Sequence, residues 1–571
     1  MSYIDWIVLL VTLVGMILYG LYRSRSEKNL ESYFLMNRSS SWYLILLSII
    51  GTQASAVTFL SAPGQAYTDG MRFVQYYFGL PLAMVVLCIT FVPVFHKLKL
   101  FTAYEFLEKR FDGKTRTFTS LLFLLQRGLS TGISISAPSI ILSSLLGWNI
   151  LWTNILMGGL LIIYTFTGGA KAVAYTQQIQ IVIIFTGMFI VGYMVVHLLP
   201  EHVGFSDALH IGGKAGKLNV ITSGRTEEGF QWNDRYNIWS GIIGGFFLQL
   251  SYFGTDQSQV GRYLTARSTR ESKLSLLLNG LVKVPMQFGI LLLGVLVFSY
   301  YQFAKEPLFF NQTQLDLLAK TKYADSLKIV MGEYEALQKA KISQMDPSLE
   351  SQAENRMQQG LTMQYVQKKQ MQFRSIIQRW LKDVKGDSND TNYIFLRFVV
   401  DHMPRGLVGL LIAVIFLSAW GSVAAALNAL SSATMNDIHK RWVKNPMSQE
   451  KEYQYSRLYT LIWGIFCVVI AQLAYNIGNS LIEAVNVLGS LFYGVILGIF
   501  LVAFYFKKIG ATAVFISAVI VEIFVVSIHI LNQKDIIHIS FLWLNAIGAL
   551  GVIIMSRLLQ EFIKKPQTSG I

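Results

Sequence analysis

Residues 48–64 read Ser-Ile-Ile-Gly-Thr-Gln-Ala-Ser-Ala-Val-Thr-Phe-Leu-Ser-Ala-Pro-Gly. They lie in a run apolar enough to cross a membrane, yet Gly51, Pro63, Gly64 and several small polar residues interrupt it. Backbone in hydrocarbon must satisfy its own hydrogen bonds. An interrupted helix therefore persists only where protein surrounds it or where it lines a cavity. Secondary transporters place their substrate and ion sites at such interruptions near the bilayer midplane.

The rest of the chain agrees with a membrane setting. Of its 571 residues, 53% are hydrophobic and 14% charged, against about a quarter charged in soluble domains. Apolar runs predict about thirteen spans, at 4–22, 42–60, 73–95, 118–146, 150–166, 179–198, 238–253, 276–298, 407–432, 460–474, 481–506, 511–530 and 539–555. The first follows Asp5 and has no small-residue cleavage site, so it reads as a retained helix and not a signal peptide. One set of alternate loops holds 25 Lys and Arg, and the short loops of the other set hold 6. By the positive-inside rule the N-terminus is expected outside and the C-terminus in the cytoplasm, with the chain in the plasma membrane. This asymmetry accounts for the net charge of +15 without a nucleic-acid partner. Cys88 and Cys467 fall within spans and imply no disulfide framework.

The segment 303–400 is polar and helix-favouring, as in Tyr334-Glu-Ala-Leu-Gln-Lys-Ala-Lys341. It reads as an external helical cap, with partner docking as the alternative. Asn311 and Asn389 each open a glycosylation-type triplet, a pattern common by chance.

Four features carry candidate chemistry. Ser418, Gly421 and Ser422 are spaced i, i+3, i+4 and share a helix face. That face suits either cation coordination by hydroxyl and carbonyl oxygens or close helix packing. Arg127 and Lys283 each lie about 13 Å deep in a core about 30 Å thick. A charge at that depth is costly and by default functional, the other reading being a buried pair with a carboxylate. Glu522 is mid-span in a helix with no other site signal and reads as structural. Asp256, beside Gln257, reads as a carboxylate anchoring loop amides or Arg262. The sequence has no P-loop, metal-ligand cluster or nucleophile–base pair, so no enzyme is expected.

Taken together, several motifs make the chain resemble the sodium:solute symporter family over nearly its whole length outside 303–400. They are Gly51-Thr-Gln-Ala-Ser55-Ala-Val-Thr58-Phe, Thr102-Ala-Tyr-Glu105 to Arg110, Gly168-Gly-Ala-Lys171 to Thr176, Tyr252-Phe-Gly-Thr-Asp256-Gln257 to Arg262, and Ser422 through Asn428 to Asp437. The resemblance implies an all-α polytopic fold of two inverted five-helix, LeuT-like repeats, each opened by a broken helix. Gly51–Ser55 fits the first break, and Gly244, Gly245 and Gly254 mark the second. The implied organisation is 1–40 an extra helix and loop, 41–200 the first repeat, 201–236 an external loop, 237–302 and 401–508 the second repeat split by the insert at 303–400, and 509–571 flanking helices with a short tail.

The resemblance also implies a sodium site at Gly51, Ala54, Ser418, Gly421 and Ser422. This chain departs from the family pattern twice, with Gly421 where Ser is usual and Gln177 where Asp is usual. The lost hydroxyl and charge are expected to weaken sodium binding by about 1–3 kcal/mol, while Ser418, where Ala is typical, offers an oxygen back. Compared with the family's sugar- and carboxylate-carrying members, the implied solute contacts are Ser55, Thr58, Tyr77, Arg127, Gln249, Tyr252 and Lys283. Two cations without a carboxylate in the pocket favour an anionic or partly anionic solute. The expected function is sodium-coupled symport of a small carboxylate-bearing or sugar-like solute across the bilayer by alternating access. The alternatives are a proton-coupled or sodium-independent carrier and, in another class, a non-transporting sensor or scaffold.

Overall fold

The computed structural model describes residues 1–23, 30–344, 353–443, 447–474 and 480–563. In chain order the principal helices begin with α1 (Tyr3–Arg23), α2 (Trp42–Gln53), α3 (Ala56–Asp69), α4 (Leu80–Ile89), α5 (Phe91–Leu98) and α6 (Gly113–Leu146). They continue with α7 (Ile150–His197), α8 (Gly245–Thr255), α9 (Gln257–Tyr263), α10 (Thr269–Phe303), α11 (Ala324–Gln344) and α12 (Ala353–Asp383). The last six are α13 (Thr391–His402), α14 (Leu407–Ala433), α15 (Gln449–Leu473), α16 (Leu481–Tyr505), α17 (Ala511–Gln533) and α18 (Phe541–Phe562). A two-stranded hairpin pairs Arg225–Thr226 with Gly229–Phe230. Among the described residues, ten helical segments are long and apolar enough to cross a membrane, and the bent pair α2–α3 makes one more.

The expected break is present. Helix α2 ends at Gln53, Ala54 N–H bonds Ile50 O, and Ser55 is extended at φ −75°, ψ 170° before α3 begins. The two halves meet at a 58° bend. Release from the i→i−4 ladder leaves the last carbonyls of α2 free of helical partners. Gly64 then lets α13 lie against α3, because a Cβ there would fall 2.0 Å from Thr391 O.

A second break lies between α8 and α9, at Asp256 (φ −75°, ψ 116°), whose side chain caps α9 by accepting from Ser258 N–H at 2.8 Å. This corrects the expectation that Gly244, Gly245 and Gly254 mark it. Cβ atoms at those glycines would meet Leu542 O at 2.8 Å, Tyr76 O at 2.7 Å and Phe91 Cε1 at 2.8 Å. They are close-packing points, and a capping carboxylate makes the break.

The spans expected at 150–166 and 179–198 belong to one 48-residue helix, α7. The segment between them contains no proline, and a glycine costs a helix only about 1 kcal/mol. The side chains of Arg23 and Lys171, and residues Arg25, Lys28, Lys444, Lys564 and Lys565, lie outside the described residues.

The expected grouping of loops is visible in their contacts. Arg38 bonds the carbonyls of Lys99 and Leu100, Arg110 those of Phe506, Lys507 and Ile509, and Arg116 that of Asn436. Ser40 pairs with Ala266. In the other set of loops, Arg72 pairs with Asp69 and Asp234, and Arg235 with Glu483.

The insert has its own small core, with Leu308, Phe309, Leu315, Leu318, Leu327, Tyr334, Ile377 and Leu381 buried together. Its last helix, α13, instead joins the core of the membrane body through Phe395 and Phe398. Buried Glu306 ties the two parts. It accepts from Tyr67 O–H of α3 at 2.5 Å and from Gln370 at 2.7 Å, with Lys341 at 3.5 Å and Arg374 at 3.6 Å. Asn311 is 2% exposed, which makes it a poor glycan acceptor. Tyr67→Phe deletes one hydrogen bond to a carboxylate and should cost about 1.5–3 kcal/mol. A lower melting temperature with the same fold, read by circular dichroism, is the expected outcome.

Candidate functional site

The first break opens onto a cavity of about 120 Å³, which α8, the helix before the second break, also lines. All seven expected solute contacts line it: Ser55 and Thr58 from the first break, Tyr77 from the turn after α3, Arg127 from α6, Gln249 and Tyr252 from α8, and Lys283 from α10. The structure adds Thr52, Gln126, Ser130, Asn486 and Tyr493. Asn486 accepts from Tyr76 O–H at 3.1 Å. Sequence reasoning missed Asn486 and Tyr493 because α16 carries no interruption. The available signal was a polar residue repeated on one face of an otherwise apolar helix.

The two buried cations differ in their surroundings. Arg127 Nη1 lies 3.5 Å from Asp256 Oδ2, and Tyr493 O–H donates to the same oxygen at 2.7 Å. The Tyr252 ring centroid is 6.0 Å from the Arg127 guanidinium carbon, and the Tyr252 hydroxyl accepts from Gln259 at 2.7 Å. This corrects the expectation that Arg127 faces no carboxylate. Asp256 neutralises it, and the cluster joins α6, α8, α9 and α16 on one side of the cavity. The reading of Asp256 as an anchor of loop amides holds through Ser258, with Arg127 as its cationic neighbour.

Lys283 is different. It is 1% exposed, and its Nζ makes no hydrogen bond or ion pair among the described residues. Its nearest charge-stabilising contact is the Tyr77 ring, with the centroid at 5.3 Å, a cation–π geometry that offsets only part of the cost of burial. Glu522 is also buried without a hydrogen-bond partner but does not line the cavity.

The residues expected to hold the ion come together where α2 meets α14. Ser422 lines the cavity, and its hydroxyl donates to Ser418 O at 3.0 Å and Ala419 O at 3.1 Å. A serine hydroxyl has one proton and two lone pairs, so with the proton held by its own helix the lone pairs remain for a cation. Gln177 of α7 accepts from Ser48 O–H at 2.7 Å and donates to Thr52 Oγ1 at 3.2 Å and to Gly421 O at 3.1 Å. A Cβ on Gly51 would sit 3.0 Å from Gln177 Cγ, and one on Gly421 would sit 3.3 Å from it and 2.7 Å from Gln180 Oε1. The two departures noted in the sequence are thus one arrangement: Gly421 makes room for a longer, neutral side chain at 177, which stitches α2 to α14. Gly421→Ser should overpack this contact at a cost of about 1–3 kcal/mol. A Gly421→Ser/Gln177→Asp double variant should recover much of the lost melting temperature.

The family model of the sodium:solute symporter family matches residues 33–314 and 374–521. The unmatched stretch between them falls within the insert. The sodium/sialic acid symporter SiaT of Proteus mirabilis is 26% identical over 557 residues, covering 97% of this chain and 94% of that protein. The sodium-dependent multivitamin transporter of Oryctolagus cuniculus is 25% identical over 88% of this chain and 67% of its own. The Homo sapiens sodium/iodide cotransporter is 31% identical over 49% of this chain and 42% of its own. The solved structure of a Na+-coupled sialic acid symporter in a substrate-bound outward-open state matches with a TM-score of 0.75 at 24% identity, over 99% of both chains. That likeness shows the fold.

Proposed function

Because the chain belongs to the sodium:solute symporter family, whose members are LeuT-like membrane carriers and not enzymes, we propose that it moves a small carboxylate-bearing organic solute together with sodium, by alternating access. The observation that carries the solute class is Lys283, a buried cation in the cavity with no acidic partner among the described residues. A buried charge is tolerated when a partner arrives to pair with it. The solute carboxylate is that partner, with Ser55, Thr58, Gln249 and Tyr252 hydrogen-bonding the rest of the molecule. Sialic acid and iodide, named for two of the relatives, are both anions at neutral pH. Arg127, already paired with Asp256, shapes the inner wall and gives the solute no free charge.

Sodium binds between α2 and α14, held by the carbonyls of Gly51, Ala54 and Ser418 and the hydroxyl of Ser422. Gly421 supplies room, and Gln177 supplies the hydrogen bonds that set the spacing of the two helices. Ordering the first break around sodium also orders Ser55 and Thr58, which touch the solute. This link between ion and solute is the coupling. The basic loops face the cytoplasm, with the N-terminus outside, in the plasma membrane.

Uptake into proteoliposomes tests this reading, with sugar acids, monocarboxylates and neutral sugars offered under sodium or choline gradients at fixed pH. Accumulation of an acid driven by sodium is expected. Preference for the neutral sugars would contradict the solute class, and equal uptake in choline would contradict the coupling ion. Ser422→Ala should raise the sodium concentration for half-maximal uptake about tenfold, the effect of losing one charge-assisted oxygen contact. An unchanged sodium requirement would remove Ser422 from the site.

A further inference from the structure

We propose that a second cavity, beneath the insert and on the far side of α16 from the transport site, holds an anionic phospholipid. The cavity is about 680 Å³, within the range of about 300–1,000 Å³ usual for sites that enclose a ligand. Its two ends differ in chemistry. Lys382 and Gln378 of α12 form a polar roof on the insert, and His529 and Gln533 of α17 continue it at the end of a membrane helix. Val487, Leu488 and Leu491 of α16 form an apolar floor.

The lining includes one cationic side chain, Lys382, the imidazole of His529 as a hydrogen-bonding group, and no Asp or Glu. Lys382 stands exposed at the edge of the cavity, where its charge meets whatever enters from the leaflet. The site therefore selects a negative head at the roof. A soluble anion would satisfy the roof and leave the floor uncovered, whereas a lipid covers both. The order of the two ends is that of a leaflet, head toward the polar insert and chain toward the apolar helices, so the occupant is an anionic phospholipid of the leaflet facing the insert. Amphipathic contacts of this kind combine buried apolar area with attraction to anionic headgroups.

The placement gives the lipid a route to transport. Val485, Asn486, Gly489 and Tyr493 share the face of α16 that lines the transport cavity, while Ala484, Val487, Leu488 and Leu491 occupy the opposite face. One helix thus separates lipid from solute, and it carries the Tyr493 hydroxyl that bonds Asp256. A lipid seated behind α16 fixes the position of that wall.

Native mass spectrometry of the full chain, taken from nanodiscs of phosphatidylglycerol and phosphatidylcholine in equal parts, reads the occupancy. The expected result is retention of phosphatidylglycerol over phosphatidylcholine by about tenfold, the effect of one charge-assisted contact. A Lys382→Gln/His529→Gln variant should lose that preference while keeping sodium-driven uptake in phosphatidylcholine vesicles. In parallel, phosphatidylglycerol should raise the uptake rate of the wild type and leave the variant unchanged. Equal lipid retention by the two proteins would overturn the proposal. So would displacement of the lipid by inorganic phosphate at physiological ionic strength, which would make this a site for a soluble anion.

Discussion

Lys283→Met is expected to abolish sodium-driven uptake while raising the melting temperature. The two effects have one cause. In the absence of solute the ammonium of Lys283 is buried with no acidic partner among the described residues and only the Tyr77 ring nearby, so removing it relieves the folded protein of an uncompensated charge. In the proposed function the same ammonium becomes the partner of the solute carboxylate. Its loss should weaken solute binding by about 1.5–3 kcal/mol, or about 10- to 150-fold in Kd. Lys283→Arg keeps the charge in a larger head and should retain measurable uptake. A lower melting temperature in Lys283→Met would show that the lysine is a structural pair member. Unchanged solute affinity would show that the carboxylate is held elsewhere.

Asp256→Asn, behind the cavity wall formed by Arg127 and Tyr493, should be strongly destabilising. The asparagine oxygen can still accept from Ser258 N–H, so the cap on α9 survives. What is lost is the charge facing Arg127 at 3.5 Å and, with Nδ2 in the place of Oδ2, the acceptor of the Tyr493 hydroxyl. Removing one partner of a buried ion pair leaves the other uncompensated and costs about 3–5 kcal/mol. Arg127→Met in the Asp256→Asn background removes the stranded cation, so the double variant should be markedly more stable than Asp256→Asn alone. Transport should not return with stability, because Arg127, Tyr252 and Tyr493 together set the inner wall of the cavity. Thermal unfolding of the four proteins of this cycle measures the coupling. Additive losses would mean that the pair contributes nothing as a pair.

The first break was legible because its residues are individually wrong for a helix in lipid, Gly51 and the small polar run above all. The second was misplaced. Three glycines drew attention, yet their missing Cβ atoms serve contacts with Leu542, Tyr76 and Phe91, which only the packed structure reveals. The cavity wall on α3, α8 and α10 was legible from the resemblance and from the depth of Lys283. The wall on α16 was not, since Asn486 and Tyr493 sit in a regular helix with nothing local to mark them. The charge of Arg127 was correctly read as buried, but its neutralisation by Asp256 joins residues far apart in sequence. Gln177 and Gly421 looked like two separate losses. The structure makes them complementary, a longer side chain at one position and space for it at the other.

The central claim is that one broken helix holds both ion and solute, so that each tightens the other. Binding of the preferred acid to detergent-purified protein, measured by titration calorimetry in sodium and in choline at one pH, tests it most directly. The account predicts a Kd at least about tenfold lower in sodium, the size of a typical coupling free energy, and loss of that difference in Ser422→Ala. The same Kd in both salts would contradict it.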